Sequence, residues 1–345
     1  MVITAVLIVK NEAQVIARCL KSLIDKVDFI CISDTGSTDD TVDVIRDTLK
    51  ITQHAVWQTT WHNDFSRARN ANMARALTLF PDTDLFLHID ADEELVGELP
   101  ADEALQRTGH RIQVVMPQSN TFPRAFLSPP QARFTGALHE LLELPLSPVL
   151  GSCYIRSHAD GARSKDPDTR ANDLKQMEDL LAANPKDIRL LLQMAQSYES
   201  NGLYEDAEFH YDAAISPSYH GKYAAYRKAV VQHLQGKPYM PALFKAADMG
   251  HSAASLCLAH LWNEQDLHKL ALRELVSIQR DPEEIMGACT WQIVDEEAVS
   301  HAGAGNFEEA IRRCEFLIRS TYTPAEELPR IQNNLTQLLE RKANA

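Results

Sequence analysis

A membrane-spanning run is missing from the start of this 345-residue chain. Its opening stretch, MVITAVLIV, is apolar for only nine residues, against the roughly 20 that a helix needs to cross a bilayer. A basic leader and a small-residue cleavage site are missing too, so the stretch is expected to be a buried first strand, with no transmembrane segment. Positive charge is in deficit: 34 Lys and Arg against 48 Asp and Glu leave a formal net charge of −14. That balance excludes a general nucleic-acid binder or a polybasic membrane-surface protein, and any phosphate bound here needs local help. The six cysteines (Cys19, Cys31, Cys153, Cys257, Cys289 and Cys314) form no C-x-x-C pair, and most sit among apolar neighbours as small buried hydrophobes do. A reducing, cytoplasmic compartment is expected. What remains is an ordinary globular composition, 45% hydrophobic and 24% charged, long enough for two domains.

The first half alternates two periodicities. Val- and Ile-rich residues 1–9 precede KNEAQVIARCLKSL, whose apolar positions Val15, Ile16, Cys19, Leu20 and Leu23 follow helical spacing. VDFICIS reads as a second strand, DTGSTDD as a polar turn, and TVDVIRDTLK as a helix entered through Ser or Thr caps. A third strand, HAVWQT, precedes a helix over roughly residues 65–80, and DLFLHID is the fourth strand. Such alternation predicts an α/β, Rossmann-like domain with a mostly parallel sheet, binding ligands outside the carboxyl ends of its strands.

After about residue 155 the composition changes. IRSHADGARSKDPDTRAND is polar and loop-like, and beyond it the periodicity is helical. The expected division is a domain over residues 1–158, a linker over 159–172 and a helical domain over 173–345. Residues 184–217 carry Leu191, Met194, Ala195, Tyr198, Gly202, Ala207, Tyr211 and Ala214 in the order of a tetratricopeptide repeat. Gly236 follows Gly202 by 34 residues, and Gly305 marks a third match. The stretch between them fits only as a shortened, degenerate unit; an ordinary bundle with Ala-rich seams is the alternative.

Each loop at a strand's carboxyl end is unusually polar: Lys10, Asn11 and Glu12; then Asp34 to Asp40; then Asp90 to Glu94. Taken singly, DTGSTDDT is also a turn and helix cap, and DADE is also a capping box with Glu93 reaching back to residue 90. A D-x-D pair at a strand end presents hard oxygens suited to Mg²⁺ or Mn²⁺, which can share a substrate diphosphate. In WHNDFSRARNANMARAL, Arg67, Arg69 and Asn70 sit at a helix start, where guanidinium and free N–H groups suit phosphate or base edges. Arg67 also reads as a solvated charge. His139 and Glu140, in FTGALHE, fall at an expected loop-to-helix junction, and His158 follows another strand-like run.

LIVKNEAQVIARCLKSL, DTGSTDDT, DFSRARNAN, FLHIDADEEL, RFTGALHE and IRSHADG, in this order, resemble family 2 glycosyltransferases of the GT-A fold, the bacterial branch with tetratricopeptide-like repeats after the catalytic domain. The resemblance covers most of residues 3–217. It implies that Lys10, Asn11, Glu12 and Asp34 line a nucleotide pocket, that Arg69 lies near base or diphosphate, and that Asp90 faces ribose and metal. Asp92 is then the principal ligand of Mn²⁺ or Mg²⁺. Glu140 is the general base, beside His139, and His158 is favoured over His139 to complete the metal site. Where relatives carry an acidic pair, this chain has His139-Glu140.

The reaction so implied is an inverting transfer of a hexosyl-type sugar from a nucleotide-sugar donor, UDP-sugars favoured, to an acceptor protein, peptide or glycan. A sugar-phosphate nucleotidyltransferase needs a Gly-rich first loop that VKNEAQ lacks, and a haloacid-dehalogenase-like phosphatase needs D-x-D after the first strand. The reading from another class is a scaffold whose repeats recruit a partner beside a silent first domain. The repeats offer either a peptide groove or a rigid cap and homodimer surface.

Overall fold

The computed structural model describes residues 1–50, 53–100, 109–116, 122–143, 149–278, 290–320 and 323–344. It divides into two compact units, Met1–Gln176 and Met177–Ala345.

The first unit is built outward from β1 (Ile3–Val9). Its alternate side chains serve two cores: Ile3, Ala5, Leu7 and Val9 belong to one and Val6 to the other. A strand buried on both faces has no polar side, which is why ITAVLIV is almost continuously apolar. α1 (Ile16–Leu23) covers the first face with Ile16, Cys19, Leu20 and Leu23. There follow β2 (Phe29–Asp34), α2 (Thr41–Thr48), β3 (His54–Gln58), α3 (Phe65–Leu79) and β4 (Leu85–His88). α3 places Met73 and Ala76 in the second core. β1 runs parallel to β2 and β4, and β3 parallel to β2.

The sheet then changes character. β5 (Glu93–Gly97), β6 (His110–Val115), β7 (Phe122–Ser128), β8 (Arg133–Thr135), β9 (Leu141–Glu143) and β10 (Val149–Ser157) follow. Eight strands form one sheet in the order β3-β2-β1-β4-β7-β6-β10-β5, while β8 and β9 make a separate antiparallel pair. β7 is antiparallel to β4 and β6, and β5 to β10; only β6 and β10 are parallel here. The sheet is therefore mixed where a mostly parallel one was expected. Only residues 116–121 join β6 to β7, too few for the crossover that parallel neighbours require.

Three local expectations change. DADEE leads into a strand, not a helix: β5 alternates Glu93 and Leu95 inward with Glu94 and Val96 partly outward. α2 has no Ser or Thr cap; its N-cap, Asp40, makes no side-chain capping bond, and Asp39 accepts from the Thr41 amide at 3.1 Å. No helix follows Glu140, because the chain enters β9 at Leu141. The polar stretch after β10 contains α4 (Ala162–Lys165) and the start of α5 (Thr169–Ala183).

The second unit continues with α6 (Ile188–Ser200), α7 (Tyr204–Ala214), α8 (Tyr219–Leu234), α9 (Met240–Asp248), α10 (Ser252–Glu264), α11 (His268–Ser277), α12 (Thr290–Gly303), α13 (Phe307–Arg319) and α14 (Leu328–Ala343). Small residues fill the seams: Ala195, Ala207, Ala229, Ala246, Ala259 and Ala310 are almost wholly buried. Four helix pairs turn in the same way. Gly202, Gly236 and Gly305 take positive φ, and each amide donates back to the helix while the next residue's amide reaches two positions further. That is a Schellman closure, in which the left-handed residue is ordinarily glycine. The degenerate third unit keeps the closure with Asp266 at φ 58°, its amide on Asn263 and that of Leu267 on Trp262. It comes 30 positions after Gly236, which is the shortening visible in the sequence.

Among the described residues no helix is long and apolar enough to cross a membrane. Cys19, Cys31, Cys153 and Cys314 are buried free thiols and Cys257 is half-buried; Cys289 lies outside the described residues.

Candidate functional site

The loops after β1 and β2 are clipped together. Asn11, in the left-handed region at φ 58°, accepts from the Thr38 amide at 2.8 Å, and its own amide donates to Ser37 Oγ at 2.9 Å. Ser37 Oγ in turn donates to Asp34 at 2.6 Å, and the Ser37 amide reaches the same carboxylate at 3.1 Å. Asp34 is wholly buried and holds the turn from behind, while Thr35 and Asn11 face the adjoining cavity. The Glu12 amide donates to Thr41 Oγ1 at 2.7 Å, which ties the same loop to the start of α2.

Glu12 and Asp92 then meet across the segment that follows β10. Gly161 N donates to Asp92 Oδ2 at 3.3 Å, and Ala162 N donates to both Glu12 oxygens at 3.2 and 3.1 Å. A Cβ at Gly161 would lie 3.3 Å from Asp92 Cγ and from Glu12 Oε1, so a glycine permits this approach. Burial pushes the Glu12 carboxyl up to about 7; the Ala162 amide opposes the shift and the charges of Asp92, Asp39 and Asp90 add to it. Arg18, on α1, fixes the same segment through paired bonds to Asp160 at 2.6 and 3.0 Å.

Arg69 joins two sequence-expected residues from different loops. Its Nε donates to Glu140 at 2.6 Å and its Nη2 to Asp90 at 2.8 Å, with the guanidinium 5.4 Å from the centre of the Phe134 ring. Burial pulls its pKa down, but Asp90 and Glu140 outweigh burial and the net shift is upward. Its neighbour Asn70 does not face the cavity. Its amide clasps β8, Nδ2 donating to Phe134 O at 2.8 Å and Oδ1 accepting from Phe134 N at 2.9 Å. The cap of α3, Asp64 accepting from Arg67 N at 2.8 Å, sets the register that aims this pair.

Lys10 is exposed beside Asn11, Arg67 is a surface cation, and His139 is exposed at φ 49° next to Glu140. His158 donates its amide to Asp92 O at 3.1 Å, while its Nε2 lies 2.5 Å from Glu94 Oε2. Glu94 thus has a role that its place in a run of acids did not suggest. Glu93 reaches back to the Asp90 amide at 2.9 Å, as a capping box would, but ahead of a strand.

Two adjoining cavities open onto part of this set; Asp34, His139, Glu140 and His158 line neither of them. One, about 430 Å³, is lined by Lys10, Asn11, Thr35 and Trp61; the other, about 380 Å³, by Arg69, Asp90, Asp92 and Ser157. They share Ile8, Glu12, Phe65 and Arg163. Trp61 and Phe65 meet edge to face at 4.8 Å. Arg163 was not a sequence candidate; it lies in a stretch that reads as linker, and only the fold brings it here. A larger cavity of about 520 Å³ in the second unit is mainly apolar, and its Asp295 and Glu327 already hold Arg330.

Among the described residues no three His, Cys, Asp or Glu side chains are gathered to hold a metal on their own. The donor chemistry still fits Mg²⁺ or Mn²⁺, which bind through one or two carboxylates and take their other ligands from water and phosphate. Asp92 commits only Oδ2, to one long bond, among the described residues.

Residues 4–146, within the first unit, match the family model described as glycosyl transferase family 2. A TPR repeat-containing protein of Synechococcus elongatus is 35% identical over 147 residues, 40% of this chain and 34% of the relative. The SPbeta prophage-derived glycosyltransferase SunS of Bacillus subtilis is 43% identical over 68 residues, 20% of this chain and 16% of SunS. The chain therefore spans about a third or less of these curated relatives. The crystal structure of S. aureus TarS aligns with 73% of this chain and 56% of its own at 12% identity, with a TM-score of 0.39.

Proposed function

We propose that the protein is an inverting glycosyltransferase, moving a sugar from a nucleotide-diphosphate donor to a nucleophile of an acceptor protein, peptide or glycan. The observation that carries this reading is the Arg69 bridge, which holds Glu140 and Asp90 at fixed separation on one guanidinium beside Asp92. The family of residues 4–146 supports it.

Asp90 and Asp92 stand at the end of β4, where a donor's ribose and diphosphate are received. Glu140, carried by the loop between β8 and β9, accepts the acceptor's proton as its oxygen attacks the anomeric carbon. The anomeric carbon–oxygen bond to the diphosphate breaks, and the nucleoside diphosphate leaves with the bonding pair. Attack opposite the leaving group inverts the anomeric configuration. Asp92, with Asp90 beside it, would hold Mn²⁺ or Mg²⁺; His158 joins them only by leaving Glu94. When bound, the cation neutralises charge on the departing diphosphate. Ser157, Ala159, Gly161, Arg163 and Ser164 form one wall of the cavity that Asp92 and Glu12 also line. UDP-sugars are the favoured donors, and the helical unit recruits the acceptor or serves as a cap and dimer surface.

The test is release of nucleotide from UDP-, GDP- and dTDP-sugars by purified protein with Mn²⁺, Mg²⁺ or chelator. Turnover that is lost in Asp92→Ala supports the reading. A protein that neither binds nor turns over any of these donors is instead a scaffold with a silent first domain.

A further inference from the structure

We propose that Arg163 binds the donor's diphosphate and stabilises it as it leaves, an inference that rests on the glycosyl-transfer reading above. A nucleotide sugar that spans the two adjoining cavities must place its diphosphate where they meet. Arg163 is the only cation among the described residues that lines both. Lys10 reaches the first cavity alone, and Arg69 lines the second with its Nε and Nη2 already bonded to Glu140 and Asp90.

Arg163 is also built into place. Its guanidinium lies 4.9 Å from the centre of the Phe65 ring, and Nη2 meets Asp173 at 2.5 Å. Nε and Nη1 are left without a partner among the described residues, and the side chain is 47% exposed, open to a ligand. Its backbone is anchored on both sides: Gly161 and Ala162 donate to Asp92 and Glu12, and Thr169 Oγ1 donates to Arg163 O at 2.9 Å. A planar guanidinium with two donors to spare matches phosphate oxygens in a way a lysine ammonium does not.

In the transfer step the anomeric carbon–oxygen bond breaks, its electron pair goes to the β-phosphate oxygen, and the new bond forms to the acceptor oxygen whose proton passes to Glu140. Arg163 meets the charge that appears on the leaving oxygen. It neither gains nor loses a proton.

The experiment titrates wild type, Arg163→Met and Arg163→Lys with UDP, GDP and dTDP and with the matching nucleosides by calorimetry, with thermal melts as a folding control. The expected result is that Arg163→Met binds the preferred nucleoside diphosphate ~10- to 100-fold more weakly. Arg163→Lys should recover part of that loss, and nucleoside binding should not change. Unchanged diphosphate affinity in Arg163→Met, or equal loss for nucleoside and diphosphate, overturns the assignment of Arg163 and leaves the glycosyl-transfer reading standing. Wild type that binds none of the three diphosphates overturns the reading itself.

Discussion

Arg69 Nε lies 2.6 Å from Glu140 Oε1, and both side chains are 13% exposed. The same guanidinium holds Asp90. Replacing it strands Glu140 in a poorly hydrated site, which costs about 3–5 kcal/mol when a buried pair is broken from one side, whereas Asp90, 35% exposed, is left to solvent. Arg69→Met should lower unfolding stability by an amount of that order in chemical denaturation, and Arg69→Lys should recover only part, since a point charge cannot span both partners.

Asn70 holds β8 by two bonds to one residue, Phe134, and β8 leads to the loop that bears Glu140. Asn70→Ala leaves the Phe134 amide and carbonyl without those partners, at a cost of about 1–3 kcal/mol. Amide exchange should accelerate in residues 133–143 ahead of the rest of the first unit.

Much of this geometry was legible beforehand, and the reason is physical. β1, α1, β2, α2, β3, α3 and β4 carry continuous apolar runs or 3–4 spacing because each is buried on a sheet face or covers one. Asp90, Asp92, Glu12 and Asn11 were visible because loops after parallel strands gather at one edge. Asn70 was misread because its phosphate-like setting conceals a clasp on backbone, and backbone partners leave no trace in side-chain chemistry. Glu94 was opaque until β5 and β10 paired, which sets Arg156 opposite it and brings His158 close. The antiparallel pairing of β6 with β7 was not legible because it is set by the short connection between them, residues 116–121, and not by the pattern within either strand.

Glu12 supplies a pH signature. Its carboxyl is raised from 4.5 to about 7, chiefly by burial, so folding favours the protonated form. That contribution is complete below about 4.5 and is lost as pH rises through about 7. Wild type should therefore lose melting temperature across this window, and Glu12→Gln, which cannot ionise, should lose less. Parallel curves for the two proteins would remove Glu12 as the cause.

Asp266 sits where three sister turns place glycine. Asp266→Gly relieves a left-handed side-chain conformation and should stabilise the second unit by about 0.5 kcal/mol. Gly236→Ala imposes the same strain and should cost about 1 kcal/mol or more. Thermal unfolding of both variants beside wild type gives the signs.

The most direct measurement is donor affinity and sugar transfer by Glu140→Gln beside wild type, with the donor that the nucleotide-release panel selects. The variant should bind the nucleoside diphosphate within about twofold of wild type while transfer falls about 10²- to 10⁴-fold, the usual worth of a general base. Transfer at the wild-type rate in Glu140→Gln, or a product that keeps the donor's anomeric configuration, would contradict the account.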